Sequence, residues 1–285
     1  MASKVAKMLA CRGGGHVRRS ERLIRITKYL LDRPNCAVSL SELADGMEAA
    51  KSSVSEDVAM VRDVLAGEET GVVQTIAGAG GGVKFQVRVP AAVREAFEQD
   101  IIQRLGDVSR ILPGGFLYMS DVLGDPDVLD FSGRLLAERF AESGVNVVVT
   151  VETKGIPIAV ATARYLHVPV VVVRREHRVT DGAAVSVHYV SGSAKRIQTM
   201  SVSKRAMPQH AKALIVDDFM RAGATVQTVK RLLAEFDAEV LGTAVFMSTL
   251  EPALKLVDDY ISLFSVGPLQ EDQEVLIVPG NAKPD

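Results

Sequence analysis

Two adjacent carboxylates, Asp217 and Asp218, close a short apolar run, Ala213-Leu214-Ile215-Val216, and are followed by Phe219-Met220-Arg221-Ala222-Gly223-Ala224-Thr225. The apolar run predicts a buried strand that ends at the two acids. Val226, Val229, Leu232 and Leu233 then recur at helical spacing, which places a helix N-terminus at Thr225. The unpaired N–H groups and the dipole of such a terminus seat a phosphate. The Thr225 hydroxyl adds a donor, while Ala222, Gly223 and Ala224 let backbone approach a ligand closely. Carboxylates beside a bound phosphate repel it unless they hold hydroxyls or a cation. A ribose 5-phosphate meets both demands: its ring hydroxyls donate to Asp217 and Asp218 while its phosphate caps the helix.

The elements that must position these groups have the grammar of an α/β domain. Val145–Val151, Val168–Val173, Ala213–Val216 and Val240–Met247 are nearly continuous apolar runs separated by helix or loop. Such runs imply strands buried on both faces of a mostly parallel sheet, whose ligands bind beyond the carboxyl ends of the strands. Glu152-Thr153-Lys154-Gly155 follows one strand and precedes a helix, so its N–H groups and Lys154 suit a pyrophosphate; a plain strand–helix turn with an exposed lysine has the same sequence.

The first ninety residues read differently. Residues 1–17, with Gly13-Gly14-Gly15, are expected to form a mobile basic arm. Leu23, Ile26 and Leu30 start a helix that Pro34 stops. Ser39/Glu42 and Ser53/Glu56 have capping-box spacing, each ahead of a helical stripe: Leu40, Leu43, Ala44, Met47, and then Val54, Val58, Val61, Leu65. Val72–Ile76 and Val83–Val87 flank a glycine-rich tip and predict a hairpin. Helix, helix, helix, hairpin is the order of a winged helix-turn-helix, whose third helix enters a major groove; the same pieces could also be a plain packing module. Lys51, Ser52 and Ser55 at the start of the third helix are suited to phosphates and base edges. We add Ser53, Arg18, Arg19 and the wing residue Lys84 as candidate DNA contacts, with Glu56 and Asp57 as counter-evidence. Val89-Pro90 marks the boundary of an 18–89 domain, and Val93, Phe97, Ile101, Leu105, Val108 and Leu112 predict a linking helix that opens the 90–285 domain.

The whole chain, 285 residues with 47% hydrophobic and 24% charged residues, has the composition of a soluble globular protein. Its net charge of −2 argues against a nucleic-acid partner only as a sum. Lys4 to Arg33 holds nine cations against Glu21 and Asp32, and Arg174 to Lys212 is a second basic stretch, which suggests two anionic partners. No apolar run is long enough to span a bilayer and no signal core opens the chain, so a cytoplasmic location is expected. Cys11 and Cys36 are expected to be reduced bystanders; His16, His167, His177, His188 and His210 have no metal-ligand spacing, and Val83 breaks a dinucleotide-type glycine pattern.

The Asp217–Thr225 segment resembles the phosphoribosyl pyrophosphate motif of type I phosphoribosyltransferases. With Phe219-Met220-Arg221-Ala222-Gly223 it is similar to the purine operon repressors of Gram-positive bacteria. Arg18–Leu23, Ala50–Asp57, Pro113-Gly114-Gly115, Thr153–Pro157 and Tyr189–Ser193 resemble that family in the same order. The resemblance implies a winged-helix domain fused to a phosphoribosyltransferase-like α/β domain that senses phosphoribosyl pyrophosphate, dimerises and represses purine-synthesis genes. It implies an effector, alone or with Mg²⁺, in place of a catalytic cofactor. It also implies contacts from Thr153, Lys154 and Gly155, a nucleotide pocket lined by Phe116 and Tyr118, and a loop over the site at Ser191–Arg196. Phe219 and Arg221 stand where the enzymes commonly carry smaller residues, which points to binding without turnover; an active purine phosphoribosyltransferase is the alternative.

Overall fold

The computed structural model describes residues 17–78, 81–176, 182–190, 197–270 and 273–282. Most of the chain divides between Pro90 and Ala91 into two compact units, with Arg164–His167 grouped with the first. Among the described residues no helix is long and apolar enough to cross a membrane.

The first unit runs α1 (Arg19–Asp32), β1 (Val38–Ser39), α2 (Leu40–Met47), α3 (Lys51–Gly67), β2 (Gly71–Ile76) and β3 (Gly82–Val87). The expected arm, residues 1–16, lies outside the described residues. Val17, read as the end of that arm, is instead buried, and its carbonyl accepts Arg22 Nη1 at 3.2 Å. The inward face of α1 is Arg22, Ile26, Tyr29 and Leu30 rather than the stripe through Leu23. The capping box at α2 is present: Ser39 Oγ accepts from Glu42 N and Glu42 Oε2 from Ser39 N, both at 3.1 Å. The second expected box is not. Helix α3 starts at Lys51, two residues before Ser53, from an extended Ala50 whose side chain cannot cap, so Ser53 and Glu56 lie inside the helix. The inward stripe Val54, Val58, Val61 and Leu65 is as expected. Strand β3 pairs antiparallel with both β1 and β2, giving the three-stranded order β1-β3-β2. Gly82 must be glycine, since a Cβ there would run into the Val38 backbone.

The second unit opens with α4 (Ala91–Leu105), which buries Phe97, Ile101 and Leu105. The helix does not reach Leu112. The Asp107 carboxylate accepts from Ser109 N at 2.7 Å and turns the chain into a 3-10 turn, Val108–Arg110, leaving Val108 and Leu112 exposed. A two-stranded hairpin, β4 (Ile111–Leu112) and β5 (Phe116–Leu117), follows. Next come α5 (Pro126–Phe140), β6 (Val147–Val151), α6 (Gly155–Leu166), β7 (Val170–Val173) and the hairpin β8 (Ala184–Val190) with β9 (Ile197–Ser203). The chain ends with β10 (Lys212–Met220), α7 (Ala224–Ala234), β11 (Glu239–Thr249), β12 (Ile261–Val266) and β13 (Ile277–Pro279). The central sheet has the order β13-β12-β11-β10-β6-β7, parallel except for β13. Residues of β6, β7, β10 and α7, including Val149, Val173, Ile215, Val229 and Leu233, share one apolar core with Met200 of β9 and Val245 of β11. From β6 the chain steps to β7 on one side, whereas from β10 it steps to β11 and β12 on the other. Strands β6 and β10 therefore flank the topological switch point, where an α/β sheet leaves a crevice beyond its strand ends.

Candidate functional site

The crevice is framed by the turn after β6 and by the end of β10. Strand β10 is longer than the apolar run predicts. It extends to Met220, so Asp217, Asp218, Phe219 and Met220 belong to the strand, in register with β11 as far as Met220 opposite Ser248. Asp217 is buried and Asp218 half-buried; the Asp218 amide donates to Asp217 Oδ1 at 3.0 Å. Burial pushes the Asp217 carboxyl well above the ordinary carboxylate range, the charge of Asp218 pushes the same way, and the Arg175 cation opposes them. A ligand that brings hydroxyl donors or a cation relieves that burial cost.

Beyond Met220 the chain turns through Arg221, exposed, and Ala222, half-buried, to Gly223 at φ +88°. That left-handed conformation, and a Cβ position 3.0 Å from Val257 Cγ2, both call for glycine. Helix α7 starts at Ala224, one residue before the expected Thr225, and its cap residue Gly223 has no side chain to satisfy the first-turn N–H groups. Ala224 and Thr225 are half-buried at this entrance.

Gly155 joins the other wall to Asp217. A Cβ at Gly155 would collide with Asp217 Oδ1 and with the Thr150 hydroxyl, so the first turn of α6 lies directly against the acid. Thr153 and Lys154 are exposed in the turn before it, which contains a cis Glu152–Thr153 peptide. Glu152 tethers this turn to the end of β7: Oε1 accepts from Arg175 N at 2.7 Å, and Oε2 lies 3.6 Å from Arg174 Nη1. The structure thus brings 153–155 and 217–225 to one crevice. Phe116 and Tyr118, expected to line a pocket, sit exposed on or beside the separate hairpin strand β5. Ser191–Arg196 lies outside the described residues.

Sequence reasoning missed the brace behind the 221–223 turn. Leu256 N donates to Ala222 O at 2.8 Å, Thr249 Oγ1 donates to Arg221 O at 3.2 Å, and Lys255 Nζ donates to Thr249 O at 2.7 Å. These partners stand 28 or more residues downstream, and no spacing rule points to them.

In the first unit Arg18 is exposed at the start of α1, and Lys51, Ser52 and Ser55 are exposed at the start of α3, with Ser53 half-buried. Lys84 is half-buried on β3, opposite Gln74, and residues 79–80 of the wing tip lie outside the described residues. Asp57, read as counter-evidence to DNA contact, is fully buried and takes Arg22 Nε on Oδ2 at 2.7 Å and Arg19 Nε on Oδ1 at 3.1 Å. Arg25 pairs with Glu21 and Lys28 with Asp32. Much of the basic stretch counted along the sequence is therefore neutralised within the unit. Arg62, also unforeseen, ties α3 to the wing through Val73 O at 3.1 Å and Thr75 Oγ1 at 2.8 Å.

Residues 18–87 match the family described as the N-terminal domain of the bacterial purine repressor, and residues 120–279 match the phosphoribosyl transferase domain. The purine biosynthesis transcriptional repressor PurR of Bacillus subtilis (strain 168) is 44% identical over 265 residues, 93% of each chain. The purine biosynthesis transcriptional activator PurR of Lactococcus lactis subsp. lactis (strain IL1403) is 41% identical over 250 residues, 88% of this chain and 92% of that one. Adenine phosphoribosyltransferase from Rhodothermus marinus DSM 4252 superposes with a TM-score of 0.50 at 21% identity, covering 59% of this chain and 97% of that chain, a likeness of fold.

Proposed function

Because the chain belongs to the family of bacterial purine-biosynthesis transcriptional regulators, we propose that it binds operator DNA as a homodimer, represses purine-synthesis genes, and is relieved by phosphoribosyl pyrophosphate. The observation that carries the effector half is the contact of Gly155 with Asp217 at the switch point, which sets the turn with exposed Thr153 and Lys154 beside an acid pair and a helix entrance. On this reading Asp217 and Asp218 take the ribose hydroxyls, or the Mg²⁺ that a pyrophosphate brings with it. The entrance at Gly223–Thr225 takes the 5-phosphate, and Thr153–Gly155 take the pyrophosphate. Phe219 and Arg221 hold the ligand without turnover, their bulk standing where a leaving group or base would pass.

The DNA half rests on α3 of a winged helix, with Lys51, Ser52 and Ser55 exposed at its start. Relief requires the effector to favour a state with lower operator affinity, and the coupling is reciprocal. The sign of regulation differs between the two relatives named above; the repressor reading follows the matched N-terminal family and the Bacillus relative. A gel shift on DNA upstream of purine-synthesis genes tests the whole scheme. The wild-type complex is expected to dissociate as phosphoribosyl pyrophosphate is added, and the Asp217→Ala/Asp218→Ala variant is expected to bind DNA normally and ignore the effector. A variant that still responds would refute the site. Nucleotide formed from labelled phosphoribosyl pyrophosphate and purine bases would refute the non-catalytic assignment.

A further inference from the structure

The Asp57 carboxylate engages more cations than its burial requires. Arg22, whose side chain is 10% exposed, already satisfies one oxygen at 2.7 Å and anchors α1 through Val17 O. The second oxygen holds Arg19, whose side chain is 55% exposed. So exposed a pair adds little to stability; what it fixes is direction. The Arg19 guanidinium is held along α3 with Nη2 at 3.2 Å from Met60 Sδ and 3.9 Å from Glu56 Oε2. Glu56 and Met60 continue, at four-residue steps, the helix row that begins with the exposed Ser52. Arg19 thus lies one turn along from a residue at the exposed start of the recognition helix, although it belongs to another helix.

We propose that Asp57 is a positioning residue for DNA recognition, holding the Arg19 guanidinium beside the exposed row of α3 so that it meets the duplex in one fixed orientation. The inference rests on the DNA-binding reading above. It separates from a purely structural role because the formal charges of Arg19, Arg22, Glu56 and Asp57 cancel. Asp57→Asn leaves an excess cation, which strengthens or preserves sequence-independent attraction to phosphates, while releasing Arg19 from its set direction.

The test uses the full chain and fluorescence anisotropy on two duplexes of equal length, one from upstream of a purine-synthesis gene and one scrambled. Asp57→Asn is expected to lose about tenfold in operator affinity, within the usual range for coupled contacts, while its affinity for the scrambled duplex is unchanged or higher. In an Arg19→Gln background the same substitution is expected to cost nothing further. Equal loss on both duplexes, or an undiminished loss in that background, would overturn the proposal. If Asp57→Asn does not fold, Arg19→Lys carries the test, since the Arg22–Asp57 pair stays intact. It is expected to match Arg19→Gln on the operator and the wild type on the scrambled duplex; wild-type operator affinity would overturn the proposal. A wild-type chain with no preference between duplexes would strike the DNA-binding reading itself.

Discussion

Gly155→Ala adds one methyl group where the two walls of the crevice meet. Its Cβ would stand 3.2 Å from Asp217 Cα and in collision with Asp217 Oδ1 and Thr150 Oγ1. Thr150 is fully buried and Asp217 only 8% exposed, so neither side chain can swing into solvent. The cheapest escape is for the Asp217 carboxylate to leave its bond to the Asp218 amide, made at 3.0 Å. Overpacking of this kind costs about 1–3 kcal/mol. If the strain is released by displacing the acid proposed to hold the ribose, effector affinity is expected to fall by about 5- to 150-fold. Calorimetric titration with phosphoribosyl pyrophosphate measures the loss directly, and the concentration that releases operator DNA should rise by the same factor. Operator affinity without effector should not change, because every altered contact lies in the second unit. Wild-type effector affinity in this variant would refute the argument that Gly155 and Asp217 form one site.

Two further outcomes arise from the charges. The folded chain holds a proton on Asp217 to higher pH than the unfolded chain does, so this group's stabilising contribution is complete below the ordinary carboxylate range and is lost as pH rises through the folded value. Asp217→Asn should therefore melt above the wild type by a margin that widens with pH from that range upward; a margin independent of pH would contradict the assigned burial cost. Arg18→Ala, at an exposed position whose side chain makes no capping bond, should weaken operator binding and make the plot of log affinity against log salt shallower by about one for each phosphate it no longer neutralises, with an unaltered slope excluding Arg18 from the interface.

What could be read from the sequence was local. The Ser39/Glu42 box works because both partners lie within one turn, and the Val54–Leu65 stripe is buried because its period matches the helix. The same spacing at Ser53/Glu56 misleads, since Ala50 can start a helix from extended backbone with no side-chain cap. Apolarity also underestimates β10: Asp217 and Asp218 end the apolar run but not the strand, because backbone pairing with β11 continues where side chains turn polar. Asp57 defeats sequence reasoning altogether. A carboxylate at the start of a presumed DNA-reading helix counts as repulsive until its arginines, 35 and 38 residues away, are seen to lie against it. The Thr249–Val257 brace is hidden for the same reason, its partners being distant in the chain.

The two bonds from Arg62 to β2 bear on the entropy of recognition. A wing that hung loosely beside its helix would have to be immobilised each time the chain docked, and the ordering cost would be subtracted from every contact the wing made. Fastened to α3 at the Val73 carbonyl and the Thr75 hydroxyl, the β2 strand would already be in place in the proposed complex, when the helix meets its groove. Its contacts therefore count almost undiscounted. On the proposed docking, the same fastening would limit how far β2 could shift against α3 to suit a different groove geometry, and DNA shape would then become part of what the winged helix selects.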